Sequence, residues 1–168
     1  MPRFVDQGKT KLMWVPGDTT ITNVSAPTAA QINTTGIDLT CLMVSTYEVM
    51  PDASDTTNER AVCETANVVA PTIQNYKGNL VLFRQFDDVT FVPETDDALN
   101  YFTYSALGWF VRRIGKPYTT AFAATDIVEV YKFMSDTPQP NGGTGEGYLK
   151  VTVPLLPQGT FDIKAVVA

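Results

Sequence analysis

The sequence predicts a mostly β protein, α+β only in a minor way, built as a β-sandwich or barrel-like domain with one flanking amphipathic helix. Three observations predict it. β-branched and apolar residues gather in short runs of strand length. Glycine and proline punctuate those runs at short intervals. One later stretch, from Thr95 to Gly108, carries apolar residues at helical spacing. A sheet has to cover one face, so sandwich or barrel-like closure follows. A chain of 168 residues without internal repeat or compositional break suits a single domain spanning 1–168.

The first strand is expected over residues 10–15, closed by Pro16, Gly17 and Asp18. Residues 28–33 suit one or two helical turns, with Ser25 or Pro27 at the start and Gly36 beyond the end. Residues 39–49 form a long β-branched and apolar run that stops at the polar cluster 51–55, and residues 60–64 read as its returning arm. Residues 67–78 are irregular and contain Pro71, which suits a long loop or a weak edge strand. Residues 79–86 read as a strand ended by Asp87 and Asp88. Thr95 then caps the helix, Asp96 and Asp97 sit in its first turn, Leu99, Phe102 and Ala106 make its apolar face, and Gly108 ends it. Strands follow at 109–114 and 127–134, and a flexible connection at 138–147. Leu149, Val151, Val153 and Leu155 alternate with Tyr148, Lys150 and Thr152, the pattern of a half-buried strand. That strand and residues 160–167 read as a hairpin turned at Pro157, Gln158 and Gly159.

Composition excludes several classes of chemistry. There are 18 acids, 12 bases and no histidine, giving a formal charge of −6. Without imidazole there is no Ser-His-Asp triad, no Cys-His pair and no histidine metal ligand. The usual general base near neutral pH is missing too. The acidic balance argues against binding nucleic acid by neutralising phosphates. Residues 1–9 lack the apolar core of a signal peptide, and no stretch approaches the roughly 20 apolar residues of a membrane span. The expectation is a protein made and kept in a cytosol, or released by lysis. Cys41 and Cys63 are too few for a disulfide framework and too far apart for a zinc motif. They flank the turn 50–58, and buried free thiols are expected, with a cross-hairpin disulfide or a reactive thiol as alternatives.

Candidate sites reduce to structural features. The glycine-rich segment 141–147 has two prolines before it and a strand after it, the wrong context for a phosphate loop. Asp52, Ser54, Thr56 and Asn58 alternate like calcium ligands. The sixth and twelfth positions from Asp52 are Thr57 and Cys63, so the required glycine and acid are absent. The Asp87/Asp88 and Asp96/Asp97 pairs face opposite ways in a strand or cap a helix, which suits neither partner of a carboxylate dyad. Arg112 and Arg113 are split by strand periodicity, so one is expected to pair with an acid across the sheet or at a subunit contact. Trp14 and Trp109 lie in apolar runs that suit core or interface packing. The expectation is a non-enzyme without metal or cofactor.

The order and texture of several pieces resemble the major tail tube proteins of long-tailed, siphovirus-type phages, particularly those infecting actinobacteria. The pieces are Met13-Trp14-Val15-Pro16, Ala30-Gln31-Ile32-Asn33, Gly36-Ile37-Asp38-Leu39-Thr40-Cys41, Phe83-Arg84-Gln85-Phe86-Asp87, Gly108-Trp109-Phe110-Val111-Arg112-Arg113 and residues 123–131, followed by the strands of 147–168. The resemblance implies the tail tube fold and a virion protein assembled in the host cytoplasm. It implies hexameric rings, stacked into a tube around a tape measure protein, with terminator and tip proteins at the ends and no membrane partner. DNA would pass the lumen without specific binding, and six copies would put −36 on each ring. A long loop, either 50–58 or 67–78, is expected to reach the next ring. Its candidate contact residues are Asp52, Ser54, Asp55, Asn58, Asn67, Asn75, Tyr76 and Lys77. A tail terminator or connector ring is the alternative among virion proteins. A β-sandwich binding module using Trp14, Trp109 and the tyrosines is the alternative outside them.

Overall fold

The computed structural model describes residues 6–60, 62, 63, 65, 66, 68–85, 100–141 and 147–168. Its strands are β1 (Thr10–Pro16), β2 (Ile37–Asp38), β3 (Glu48–Asp52), β4 (Thr56–Asn58), β5 (Val69–Pro71), β6 (Asn75–Phe83), β7 (Leu107–Ile114), β8 (Ile127–Ser135), β9 (Gln139–Pro140) and β10 (Lys150–Val166), with one helix, α1 (Ala29–Thr35). Eight strands form one antiparallel sheet in the order β2-β1-β7-β8-β10-β6-β3, with β9 added on β10. Strands β4 and β5 form a separate two-stranded ribbon.

Closure comes from a chain segment and not from a second large sheet. Residues 39–44 leave β2 and cross to the far side of the sheet. Leu39 N–H donates to Leu12 O in β1 (2.9 Å), while Val44 N–H donates to Val81 O and Phe83 N–H to Leu42 O in β6 (both 2.8 Å). The sheet therefore curls around one apolar core. Leu12, Trp14, Phe110, Tyr131, Phe133, Val151, Val153, Leu80 and Leu82 point into it, and Leu39, Leu42 and Met43 cover it. The opposite face of β1, β7 and β8 is buried as well. There Met13, Val15, Val111, Val128 and Val130 pack under Ile32 of α1, Ile21 and Phe122.

Several expected elements change. Residues 39–49 are not one strand. Leu42 and Met43 N–H both bond back to Leu39 O, so Leu39, Leu42 and Met43 reach the core at turn spacing, and the strand begins only at Glu48. α1 is capped by Thr28 in place of Ser25 or Pro27. The Thr28 Oγ1 accepts from Gln31 N and the Gln31 side chain accepts from Thr28 N, a reciprocal capping box. The second predicted helix, Thr95 to Gly108, starts on residues 95–99, which lie outside the described residues. Asn100 and Tyr101 are helical, but the helix does not continue to Gly108. Phe102 turns into the core against Trp14 (ring centroids 4.9 Å apart), and Ser105 at φ 62° is left-handed, which no helix continues through. Gly108 sits inside β7, where a Cβ would lie 2.6 Å from Cε2 of Trp14. The predicted final hairpin is one continuous strand. Pro157, Gln158 and Gly159 form an irregularity in β10, with the β8 register shifting between Pro157 and Phe161 and Gly159 at φ 78°.

Both thiols are free and exposed, contrary to the burial expected of them. Cys41 occupies an outward position in the 39–43 turn. Of residues 60–64, expected as a returning strand, the described Arg60, Val62 and Cys63 lie outside any strand, and the returning strand is β5.

Both arginines of β7 are paired. Arg112 Nε donates to Glu129 (3.0 Å), its directly opposite residue in β8. Arg113 is buried and ties down residues 117–126. It donates to Asp126 Oδ2 (2.9 Å) and to the carbonyls of Pro117, Thr120 and Ala121. Lys116 pairs with the other oxygen of the same carboxylate. Burial pushes the Asp126 carboxyl up, but Lys116, the Ala123 amide and Arg113 outweigh it and hold it below the ordinary carboxylate value.

Two outcomes follow. Gly108→Ala should drive a methyl into Trp14 and cost about 1–3 kcal/mol in chemical denaturation, with the fold retained. Asp126→Asn should cost about 3–5 kcal/mol at pH 7, because it strands a buried arginine. The folded carboxyl titrates below its unfolded value of about 3.9, so its contribution is complete above that pH and disappears as pH falls through the folded value. The gap between wild type and Asp126→Asn should therefore close in acid, measured by urea titrations across pH 2–7.

Candidate assembly surface

Strand β10 pairs with β6 along its first part only, and its pairing with β8 starts where that ends, at Leu155. Lys150 to Leu155 pair with Phe83 to Gly78 of β6. Beyond that point β6 diverges together with β3, and the two continue as the ribbon β4–β5. The result is one hairpin arm whose outgoing side is 48–58 and whose returning side is 69–83. The two loops proposed from sequence as alternatives are the two sides of this arm.

Backbone and side-chain bonds make the arm continuous. Asp55 N–H donates to Ile73 O (2.9 Å) and Thr72 N–H donates to Asp55 O (2.7 Å), joining the ribbon to the root pairing. Asn75 Nδ2 spans the junction, donating to Ala53 O (3.1 Å) and Asp55 Oδ1 (3.0 Å). Asp52 Oδ1 accepts from Ala53 N–H, Ser54 lines a groove of about 340 Å³ between arm and β10, and Asn58 ends β4 opposite Val69. Lys77 faces Glu48 across the root at 3.8 Å. Asn67 lies outside the described residues.

Tyr76 belongs to the core and not to the arm's surface. It is 4 % exposed and packs against Tyr131, Phe133 and Phe161. Its hydroxyl donates to Lys132 O (2.6 Å) and accepts from Gln158 N (2.8 Å) and Thr160 N (3.3 Å). Lys132 is the residue of β8 opposite the register shift in β10, so the phenol bridges β8 and β10 inside that bulge, where their ladder is interrupted. Further along, Asp162 Oδ1 accepts from Lys164 N–H (2.8 Å) and Ser25 O accepts from Val166 N–H (3.0 Å). The bared edge of β10 is closed by the chain's own groups.

Nothing comparable covers the arm among the described residues. Every described residue of β4 and β5 is exposed, and Val62, Val68, Val69 and Ile73 present aliphatic side chains to solvent. Sequence reading passed over these four. The signal was the β-branched pair Val68-Val69 beside Pro71. The arm is also acidic. Residues 52–75 hold Asp52, Asp55, Glu59 and Glu64 against Arg60, half of the formal charge of −6. Residues 86–99 hold five more acids and no base, so the remaining 130 residues carry nine acids and eleven bases.

The geometry leaves little room for small-molecule chemistry. Trp14 is fully buried and Trp109 nearly so, which removes both as stacking platforms. Among the described residues no three acidic or thiol side chains converge as metal ligands. No described helix is long and apolar enough to cross a membrane.

The family described as phage tail tube protein matches the chain over residues 1–168. A solved chain from the cryo-EM structure of the anti-feeding prophage baseplate, six-fold symmetrised, is similar in fold, with a TM-score of 0.55 at 12% identity over 96% of each chain. A search of curated proteins finds no match.

Tyr76→Phe keeps the ring packing but leaves the Gln158 and Thr160 amides without their acceptor. It should cost about 1–3 kcal/mol and speed hydrogen exchange at those two amides while leaving β7 unchanged. Unaltered exchange at Gln158 and Thr160 would contradict the bridging role.

Proposed function

The chain belongs to the phage tail tube protein family over its whole length, and on that premise we propose that its copies form hexameric rings that stack into the tail tube. The family is structural and not enzymatic, and it places the chain in a virion tail. The observation that carries the finer reading is the exposed arm. A two-stranded ribbon is marginal in water on its own, and this one adds four uncovered aliphatic side chains. Covering them requires another molecule, and a self-assembling wall supplies one at every position.

Six copies are supported by the similar chain from a six-fold symmetrised assembly. A cyclic ring repeats one head-to-tail contact until it closes, and stacking repeats a second contact without closing. The arm suits the second. The tube encloses the tape measure protein, ends at terminator and tip proteins, and conducts DNA during ejection. A wall for that purpose must not bind phosphate. The excess of acids and the internal pairing of Arg112, Arg113, Lys116 and Lys132 with carboxylates suit it.

Electron microscopy of the concentrated protein tests this directly. Long tubes with a regular axial repeat are expected. Isolated rings would favour a terminator, and monomers a binding module. Replacing residues 59–68 by an Asn-Gly turn should leave a folded body but yield rings or monomers in place of tubes. Normal tubes from that variant would refute the arm's role.

A further inference from the structure

The inner face of the sheet does not end where the core ends. Moving along β7 and β8 from the core, Phe110 opposite Tyr131 is followed by Arg112 opposite Glu129. This ion pair closes the mouth, with the Tyr131 and Tyr47 hydroxyls bound to it. One further step of two residues brings Ile114 opposite Ile127 on the same face. Thr10 of β1 pairs with Ile114, and Val166 of β10 pairs with Ile127. The result is a row across four neighbouring strands, Thr10–Ile114–Ile127–Val166. It spans three strand spacings, about 14 Å. Ile114, Ile127 and Val166 are 47%, 65% and 46% exposed. Beside the row runs a groove of about 640 Å³, lined by Gly8, Thr10, Cys41, Tyr47, Arg112 and Tyr118.

An aliphatic row outside an ion-pair seal is not part of the core. It is a surface of core composition with nothing on it among the described residues. Among the described residues the arm is an exposed element of matching chemistry. The arm carries Val62, Val68, Val69 and Ile73, and its net charge is acidic, whereas Lys164 stands exposed beside the row. We infer that the row Thr10–Ile114–Ile127–Val166 is the seat for the hairpin arm of a second copy of this chain. The aliphatic side chains of the arm cover the row, and the acids of the arm face Lys164 at its rim. The pairing is heterologous, arm on one copy and seat on the next, so every subunit keeps a free arm and a free seat for continued growth. This rests on the tube-forming reading and specifies the surface that reading needs.

The test uses Cys63 at the arm tip as one end of a cross-link. Ile127→Cys is placed in a Cys41→Ser background of the full chain, assembled, and treated with a short bismaleimide. A ladder of covalently joined subunits on a denaturing gel, lost when Cys63 is changed to Ser, is expected. Val166→Cys serves as the second variant and should give the same ladder if Ile127→Cys folds poorly. Regular tubes without a ladder from either variant would overturn the seat and leave tube formation standing. Failure of the unsubstituted chain to assemble at all would overturn both.

Discussion

Each strand of a β-sheet has backbone donors and acceptors on both sides, and wherever the sheet ends one whole side is left facing water. An exposed edge pairs with any strand it meets, so a protein built to join its own copies in one geometry has to close the edges it does not use. This chain closes them with its own groups. On the β1 side, Thr40 accepts from the Leu12 amide and β2 covers Met13 and Trp14. On β10, where β6 departs, Asp162 and Ser25 serve two amides, and the Tyr76 hydroxyl bridges β10 to β8 across the bulge. Among the described residues the arm is the segment left most open, since every described residue of β4 and β5 is exposed.

Charge follows the same division. The basic side chains of the body are absorbed locally. Arg113 anchors residues 117–126 through Asp126, Arg112 seals the mouth with Glu129, and Lys132 pairs with Asp18 (2.5 Å). The excess acid lies in residues 52–75 and 86–99. The net charge of −6 is concentrated in two segments of the sequence, and the remaining residues are nearly balanced. Repulsion between copies would therefore be concentrated at those two segments.

Strands buried on both faces were legible. Residues 10–15, 109–114 and 127–134 have continuous apolar runs bounded by turn residues, and they are β1, β7 and β8 within a residue or two. The β-branched run 39–49 misled because turn and strand both accept apolar residues, and only contact with Leu12 and Val81 selects the turn. Pro157, Gln158 and Gly159 carry turn chemistry, yet a tyrosine some 80 positions earlier accepts their neighbours' hydrogen bonds and keeps the strand running. Phe102 and Ala106 kept helical spacing while Phe102 was needed beside Trp14. The thiols were expected inside because free cysteine behaves as a small apolar residue, whereas the positions at 41 and 63 lie on the outside of a turn and at a hairpin tip. As for the assembly surface, the segments were legible but not their union. No local pattern says that 50–58 and 67–78 pair with each other. Nor does any local pattern bring Ile114, Ile127 and Val166 side by side, since that row exists only after three registers are set.

The central claim is that the body folds to completion alone while the arm is ordered by another copy. Hydrogen exchange measured on the dilute monomer and on the assembled protein tests it most directly. Amides of 48–58 and 69–75 should exchange rapidly in the monomer and become strongly protected on assembly, while β7 and β8 keep the same slow exchange in both states. Equal protection of the arm in the two states would contradict the account.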